Sequence, residues 1–108
     1  IGIAGSFDLD FLGLGDICVA KREIWPEFGL VTDDGIQARG LGFAQALLNG
    51  EKIWDVLELS PDLASKDLGI FLPMSWSRVI SLTVAGVTGT QARARLLKQK
   101  YGAHIENM

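Results

Sequence analysis

One cysteine, one histidine, three prolines and no long apolar run are spread over this chain, and each scarcity closes a class of function. With a single thiol, no internal disulfide can form and no cysteine-rich metal cluster can be built. Cys18 sits in Asp16-Ile17-Cys18-Val19-Ala20, a strand-like run in which it reads as a small buried hydrophobe rather than a reactive thiol. His104 has no partner spaced along its own strand for metal ligation or general-base work, so it reads as a structural or surface residue. No metal site is expected. Ten basic residues against thirteen acidic ones leave a net charge of -3, which lacks the basic excess that a phosphate-backbone partner requires and disfavours nucleic acid. No apolar stretch approaches the roughly 18 residues that cross a bilayer, and no basic-then-apolar leader opens the chain. A membrane role is not implied, and a reducing cytoplasm is the expected compartment. What is present, 48% hydrophobic and 21% charged residues, is the mixture of a folded globular unit.

At 108 residues there is material for one domain. An apolar opening without Met and a strand that starts only in the last residues lead us to expect one incomplete domain over 1–108, the central part of a longer enzyme. Residues 1–4 read as a strand ending at Gly5-Ser6, and residues 16–25 as a second strand, apolar at first and charged toward its end, closed by Pro26. Between Gly29 and Gly50, Asp33-Asp34-Gly35 marks a turn, and residues 43–48 read as a short helix closed by Asn49-Gly50. Ser60 before Pro61 predicts a helix over 61–66. Residues 79–87, β-branched and apolar on both faces, predict a central strand. Thr88 and Gln91 have the spacing of a capping box for the helix that follows, which Gly102 stops before another strand leads to Glu106.

Strand, helix and strand from 79 to 106 make a βαβ unit and predict a parallel sheet. In such sheets ligands sit beyond the C-terminal strand ends, which directs attention to Gly5-Ser6, Thr88-Gly89-Thr90 and Asn107-Met108. Other motifs mislead. Gly13-Leu14-Gly15 and Gly40-Leu41-Gly42 lack the third glycine of a dinucleotide fingerprint, and no glycine loop ends in Lys-Ser or Lys-Thr as an NTPase requires. Arg93, Arg95, Lys98 and Lys100 read as a solvated helix face whose later cations complement the helix dipole. Asp8, Asp10, Asp33 and Asp34 read as turn or surface carboxylates.

Gly2-Ile3-Ala4-Gly5-Ser6-Phe7, Gly15-Asp16-Ile17-Cys18-Val19, the Val87-Thr88-Gly89-Thr90 turn with Arg93-Ala94, Tyr101-Gly102-Ala103 and Glu106-Asn107-Met108 together resemble the nucleoside phosphorylase superfamily. Within it they are most similar to the futalosine hydrolases, nucleosidases of the alternative menaquinone pathway. The resemblance implies an α/β domain, part of a three-layer fold with a mixed, mostly parallel central sheet flanked by helices. It implies a small-molecule purine nucleoside as ligand, no cofactor, and hydrolysis of the N-ribosyl bond. By position it implies that Ala4, Gly5 and Ser6 line the nucleoside with backbone, that Thr88, Gly89 and Thr90 lie beside the base, and that Asn107 and Met108 pack on the ribose. The family's two catalytic carboxylates match no residue here, so no catalytic residue is assigned and the chain alone is expected to be inactive. Trp25-Pro26-Glu27-Phe28-Gly29 falls where the family builds its subunit contact, so a homo-oligomer is expected, although core packing would suit these residues as well. A phosphorylase or other nucleosidase of the superfamily, or a non-catalytic binding module of the same fold, remains the alternative.

Overall fold

The computed structural model describes residues 2–108, so Ile1, the first position of the expected opening strand, lies outside the described residues. In chain order the elements are β1 (Gly5–Ser6), β2 (Cys18–Ile24), β3 (Leu30–Thr32), β4 (Gly35–Gln37), β5 (Ala46–Leu48), β6 (Glu51–Ile53), β7 (Val56–Glu58), α1 (Pro61–Asp67), β8 (Ser77–Thr83), α2 (Gln91–Tyr101) and β9 (Ile105–Asn107). Five strands form the main sheet in the order β1-β9-β8-β2-β7. The three central strands run parallel, as the βαβ reading requires, while β1 and β7 join antiparallel at the two edges. The fold is mixed α/β.

Alternation divides the sheet into two faces. One face carries Ile24, Leu82 and Val84, packed with Leu97 of α2 and with Ala103; Phe7, Ile80 and Tyr101 complete this cluster. The other carries Val79 and Ile105 under Leu12 of the β1–β2 loop, with Cys18 alongside. Val79 and Leu82 are fully buried, which places the core where β8 lies between β2 and β9. α1 buries no residue, so the second helical layer of the expected three is represented only by an exposed helix near β2.

β2 holds one irregularity with a large effect. Ala20 pairs with Val79 and Arg22 with Ile80, so Lys21 is an extra residue in the ladder. A bulge of this kind reverses the alternation downstream of it. It turns Ile24 into the core under α2 and Glu23 toward the opposite face.

Several local expectations are corrected. Residues 2–4 are not strand; pairing begins at Gly5. Residues 43–48 do not form a helix: Ala46–Leu48 and Glu51–Ile53 make a hairpin across Asn49-Gly50, both with positive φ, the geometry that tight hairpin turns demand. The pairing of Leu47 with Lys52 and Ala46 with Ile53 satisfies backbone groups that an isolated one-turn helix would leave open. The central strand ends at Thr83, and Val84 makes one further ladder bond to the Asn107 carbonyl before the chain leaves the sheet. The α2 cap is Thr90, whose hydroxyl accepts from the Arg93 amide; Thr88 is not in a capping box. Gly102 closes the helix with φ 63°, as expected. Gly29 has φ 140° and no room for a side chain, since a Cβ would meet the Gln37 carbonyl at 2.5 Å across the β3–β4 hairpin.

His104 is structural, in line with its sequence reading. Its Nδ1 accepts from the Ile80 amide at 3.0 Å while its own amide donates to the Ile80 carbonyl, so the side chain replaces a ladder acceptor between β8 and β9. Trp25 and Phe28 are half-buried and Pro26 is buried, so this segment is used within the fold.

Candidate functional site

The parallel strands β8 and β9 end side by side, with Thr83 opposite Asn107, and the loop 84–90 rises from this rim into α2. Four contacts hold the loop. The Ala85 amide donates to Glu27 Oε2 at 2.6 Å, and Glu27 Oε1 accepts from Arg93 at 2.8 Å, joining the β2 exit to the first turn of α2. Thr88 donates both its amide, at 2.8 Å, and its hydroxyl, at 2.6 Å, to the carboxylate of Glu106. Each is a charge-assisted bond, roughly twice as strong as a neutral one.

Beneath Thr88 lies a pocket of about 190 Å³ lined by Gly5, Ser6, Phe7, Thr88, Ala94 and Glu106. Gly5 stands opposite Glu106 in the β1–β9 pair, and a Cβ there would reach 3.6 Å from Glu106 Cγ, so the glycine leaves the pocket open. Ser6 is tied locally, donating its hydroxyl to the Asp8 carbonyl at 2.9 Å.

The opposite face of the sheet carries a polar row. Asn107 donates to Ser81 Oγ at 2.7 Å and to Glu23 Oε1 at 3.4 Å, while Thr83 donates to Glu23 Oε1 at 2.6 Å. The Lys21 bulge is what brings Glu23 to this face. Further along it opens an apolar cleft of about 790 Å³ in which Ala4, Ser6, Leu12, Cys18, Phe71 and Trp76 take part. Burial pushes the Cys18 thiol above its ordinary value, keeping it in the unreactive neutral form. Among the described residues no three histidine, cysteine or acidic side chains converge as metal ligands.

The structure therefore distributes the eight expected site residues. Gly5, Ser6 and Thr88 meet at the small pocket, Ala4 and Ser6 border the wide cleft, and Asn107 anchors the polar row. Gly89, Thr90 and Met108 are exposed and line neither opening. The assumption of three parallel strand tips at one rim is corrected, because β1 is antiparallel to β9 and Ser6 lies beside Ile105, at the start of that strand. An edge strand of two residues can pair in either direction, and its polarity is not written in its side chains. Sequence reasoning gave no role to Glu106, Glu23 or Glu27. A usable signal existed for the first: an acid between Ile105 and Asn107 in a short interior strand needs a partner.

No protein-family profile matches the sequence, and no curated protein sequence matches it either. Its fold does match solved structures. Over 99% of this chain it superposes, with a TM-score of 0.60 and 17% identity, on a futalosine hydrolase mutant of Helicobacter pylori strain 26695, covering 45% of that chain. It matches Helicobacter pylori MTAN with a TM-score of 0.61, 17% identity and coverage of 99% of this chain and 44% of the other. The same species' 5'-methylthioadenosine/S-adenosyl homocysteine nucleosidase, complexed with a pyrrolidine-based ligand, gives a TM-score of 0.60 at 17% identity, over 99% of this chain and 42% of that one. The chain thus has the fold of part of these nucleosidases and spans less than half the length of each.

Proposed function

We propose that this chain supplies part of the nucleoside-binding rim of a purine nucleosidase of menaquinone biosynthesis, which hydrolyses the N-ribosyl bond of futalosine to hypoxanthine and the dehypoxanthinyl product. The observation that carries the proposal is the fold likeness to futalosine hydrolase over 99% of the chain, joined to the small pocket at which Gly5, Ser6 and Thr88 converge. The choice of futalosine rests on the overall resemblance of the sequence motifs to futalosine hydrolases; the fold agrees equally well with the other matched nucleosidase.

N-ribosyl cleavage passes through an oxocarbenium-like state and needs an acid at the departing base, a carboxylate holding the water, and fixed donors and acceptors around the ribose. In this reading Ala4, Gly5 and Ser6 face the nucleoside with backbone, Thr88, Gly89 and Thr90 border the base, and Asn107 and Met108 lie toward the ribose. Glu23, Glu27 and Glu106 already hold internal donors, so none stands free to act as the acid or the base. The 108 residues alone are accordingly proposed to bind without turnover, as one incomplete domain of a cytoplasmic, homo-oligomeric parent. No described helix is long and apolar enough to cross a membrane.

The test is calorimetry with hypoxanthine and adenine, alongside chromatography of futalosine, inosine and 5'-methylthioadenosine incubated with the chain, with and without phosphate. Hypoxanthine binding without turnover is expected. Release of hypoxanthine by the chain would overturn its proposed inactivity, and binding of adenine in preference to hypoxanthine would overturn the substrate. In a longer polypeptide carrying this sequence, futalosine should be cleaved without phosphate; phosphate-dependent formation of the sugar 1-phosphate (the dehypoxanthinyl 1-phosphate from futalosine, ribose 1-phosphate from inosine) would instead favour the phosphorylase alternative.

A further inference from the structure

Glu106 is 8% exposed, beside fully buried Leu82 in β8 and opposite Gly5 in β1. Among the described residues no cation pairs with it, and both of its oxygens accept from Thr88 alone. Burying a carboxylate is costly, and an apolar side chain would fill the same space between Leu82 and Gly5. What the carboxylate adds is direction. Two charge-assisted bonds to the amide and hydroxyl of one residue leave that residue a single orientation. The loop around it has few other ties: Ala85 is held by Glu27 and Thr90 by the helix it caps, while Gly86, Val87 and Gly89 are exposed. Without Glu106, residues 86–89 would span the gap between those anchors with no bond to the sheet.

We infer that Glu106 is a positioning residue of the proposed purine site: it fixes Thr88, and with it the 86–89 segment between the Ala85 and Thr90 anchors, in the arrangement that receives the base. This rests on the purine-nucleoside reading above and adds to it a residue that sequence resemblance left without a role. Phe7 and Ala94 close the same pocket on its apolar side, so the geometry couples the rim to α2 as well as to β9.

The experiment combines amide hydrogen exchange with hypoxanthine calorimetry on the 108-residue chain and its Glu106→Ala, Glu106→Gln and Thr88→Val variants. In Glu106→Ala the Thr88 amide should exchange rapidly while those of Leu82 and Val84 stay protected, and hypoxanthine should bind about tenfold more weakly. Gln keeps an acceptor for the Thr88 amide and should restore most of the affinity. Thr88→Val loses the hydroxyl bond alone and should fall between. Unchanged hypoxanthine affinity in Glu106→Ala despite faster Thr88 exchange would overturn the inference, as would unchanged exchange at Thr88. Should Glu106→Ala lose protection at Leu82 as well, Thr88→Val decides: unaltered affinity in that folded variant would overturn the inference. Absence of hypoxanthine binding by the unmodified chain would instead defeat the purine reading, and the exchange data would still decide whether Glu106 orders the loop.

Discussion

Removing the Thr83 hydroxyl isolates the bond that orders the row ending at Asn107. Thr83 Oγ1 donates to Glu23 Oε1 at 2.6 Å, and both residues are half-buried at the parallel β2–β8–β9 junction. Thr83→Val keeps the branched shape and so opens little cavity. It leaves Glu23 Oε1 with only the 3.4 Å contact from Asn107 and also removes the 3.1 Å contact of the hydroxyl with Asn107 Oδ1, so the pairwise term has to come from a cycle. A hydrogen bond to a charged group contributes roughly 1.5–3 kcal/mol net, and partial solvation places this one near the lower end, at about 1.5 kcal/mol. For a domain of this size that corresponds to a fall in Tm of roughly 6–12 °C. Glu23→Ala, made alone and together with Thr83→Val, completes a double-mutant cycle, read by urea unfolding followed by circular dichroism. The two residues touch, so a coupling of about 1 kcal/mol is expected between them. If the two effects add to within about 0.3 kcal/mol, the Thr83–Glu23 bond does not order the rim and the argument for the polar row fails.

Three further outcomes follow from the same geometry. Leu82→Ala empties the centre of the core and should cost about 2–5 kcal/mol in urea unfolding, far more than Leu96→Ala on the exposed side of α2. Thr90→Ala removes the α2 cap and should cost about 1 kcal/mol, with loss of helical signal by circular dichroism. Asp8 and Asp62 are held below the ordinary carboxyl value of 3.8, first by hydrogen bonds from Lys98 and Arg78 respectively. A carboxyl depressed in the folded state contributes stability above its unfolded value and loses it as pH falls through the folded one. The urea midpoint should therefore drop below about pH 4, and the Asp8→Asn, Asp62→Asn double variant should show a shallower acid limb.

The strongest periodic signals in the sequence led to real elements, and for physical reasons. The run around Val79–Thr83 puts Leu82 into one core cluster and Val79 into the other because β8 lies between the two, and the Thr90–Gly102 segment carries its cap and stop within itself. The hairpin at residues 46–53 was misread because Ala46, Leu47 and Leu48 carry no helix-versus-strand preference strong enough to outweigh pairing with Glu51–Ile53. The site was legible only in part. The candidates Gly5, Ser6 and Thr88 stand at expected strand ends, whereas the three glutamates that hold Thr88, Ala85 and the polar row depend on contacts across 18 to 84 positions in sequence, as with Thr88 to Glu106 and Asn107 to Glu23. No local pattern encodes such distances.

The extra residue at Lys21 makes β2 two half-strands of opposite phase. Excising that lysine would delete the bulge and little else: Ala20–Val79 and Arg22–Ile80 would become successive regular pairs, with Glu23 still opposite Ser81 and Ile24 still opposite Leu82 beneath α2. A one-residue deletion at position 21 should thus be tolerated far better than a one-residue insertion into the ladder beyond it, which would drive the Glu23 acid beneath α2 and turn Ile24 to the opposite face.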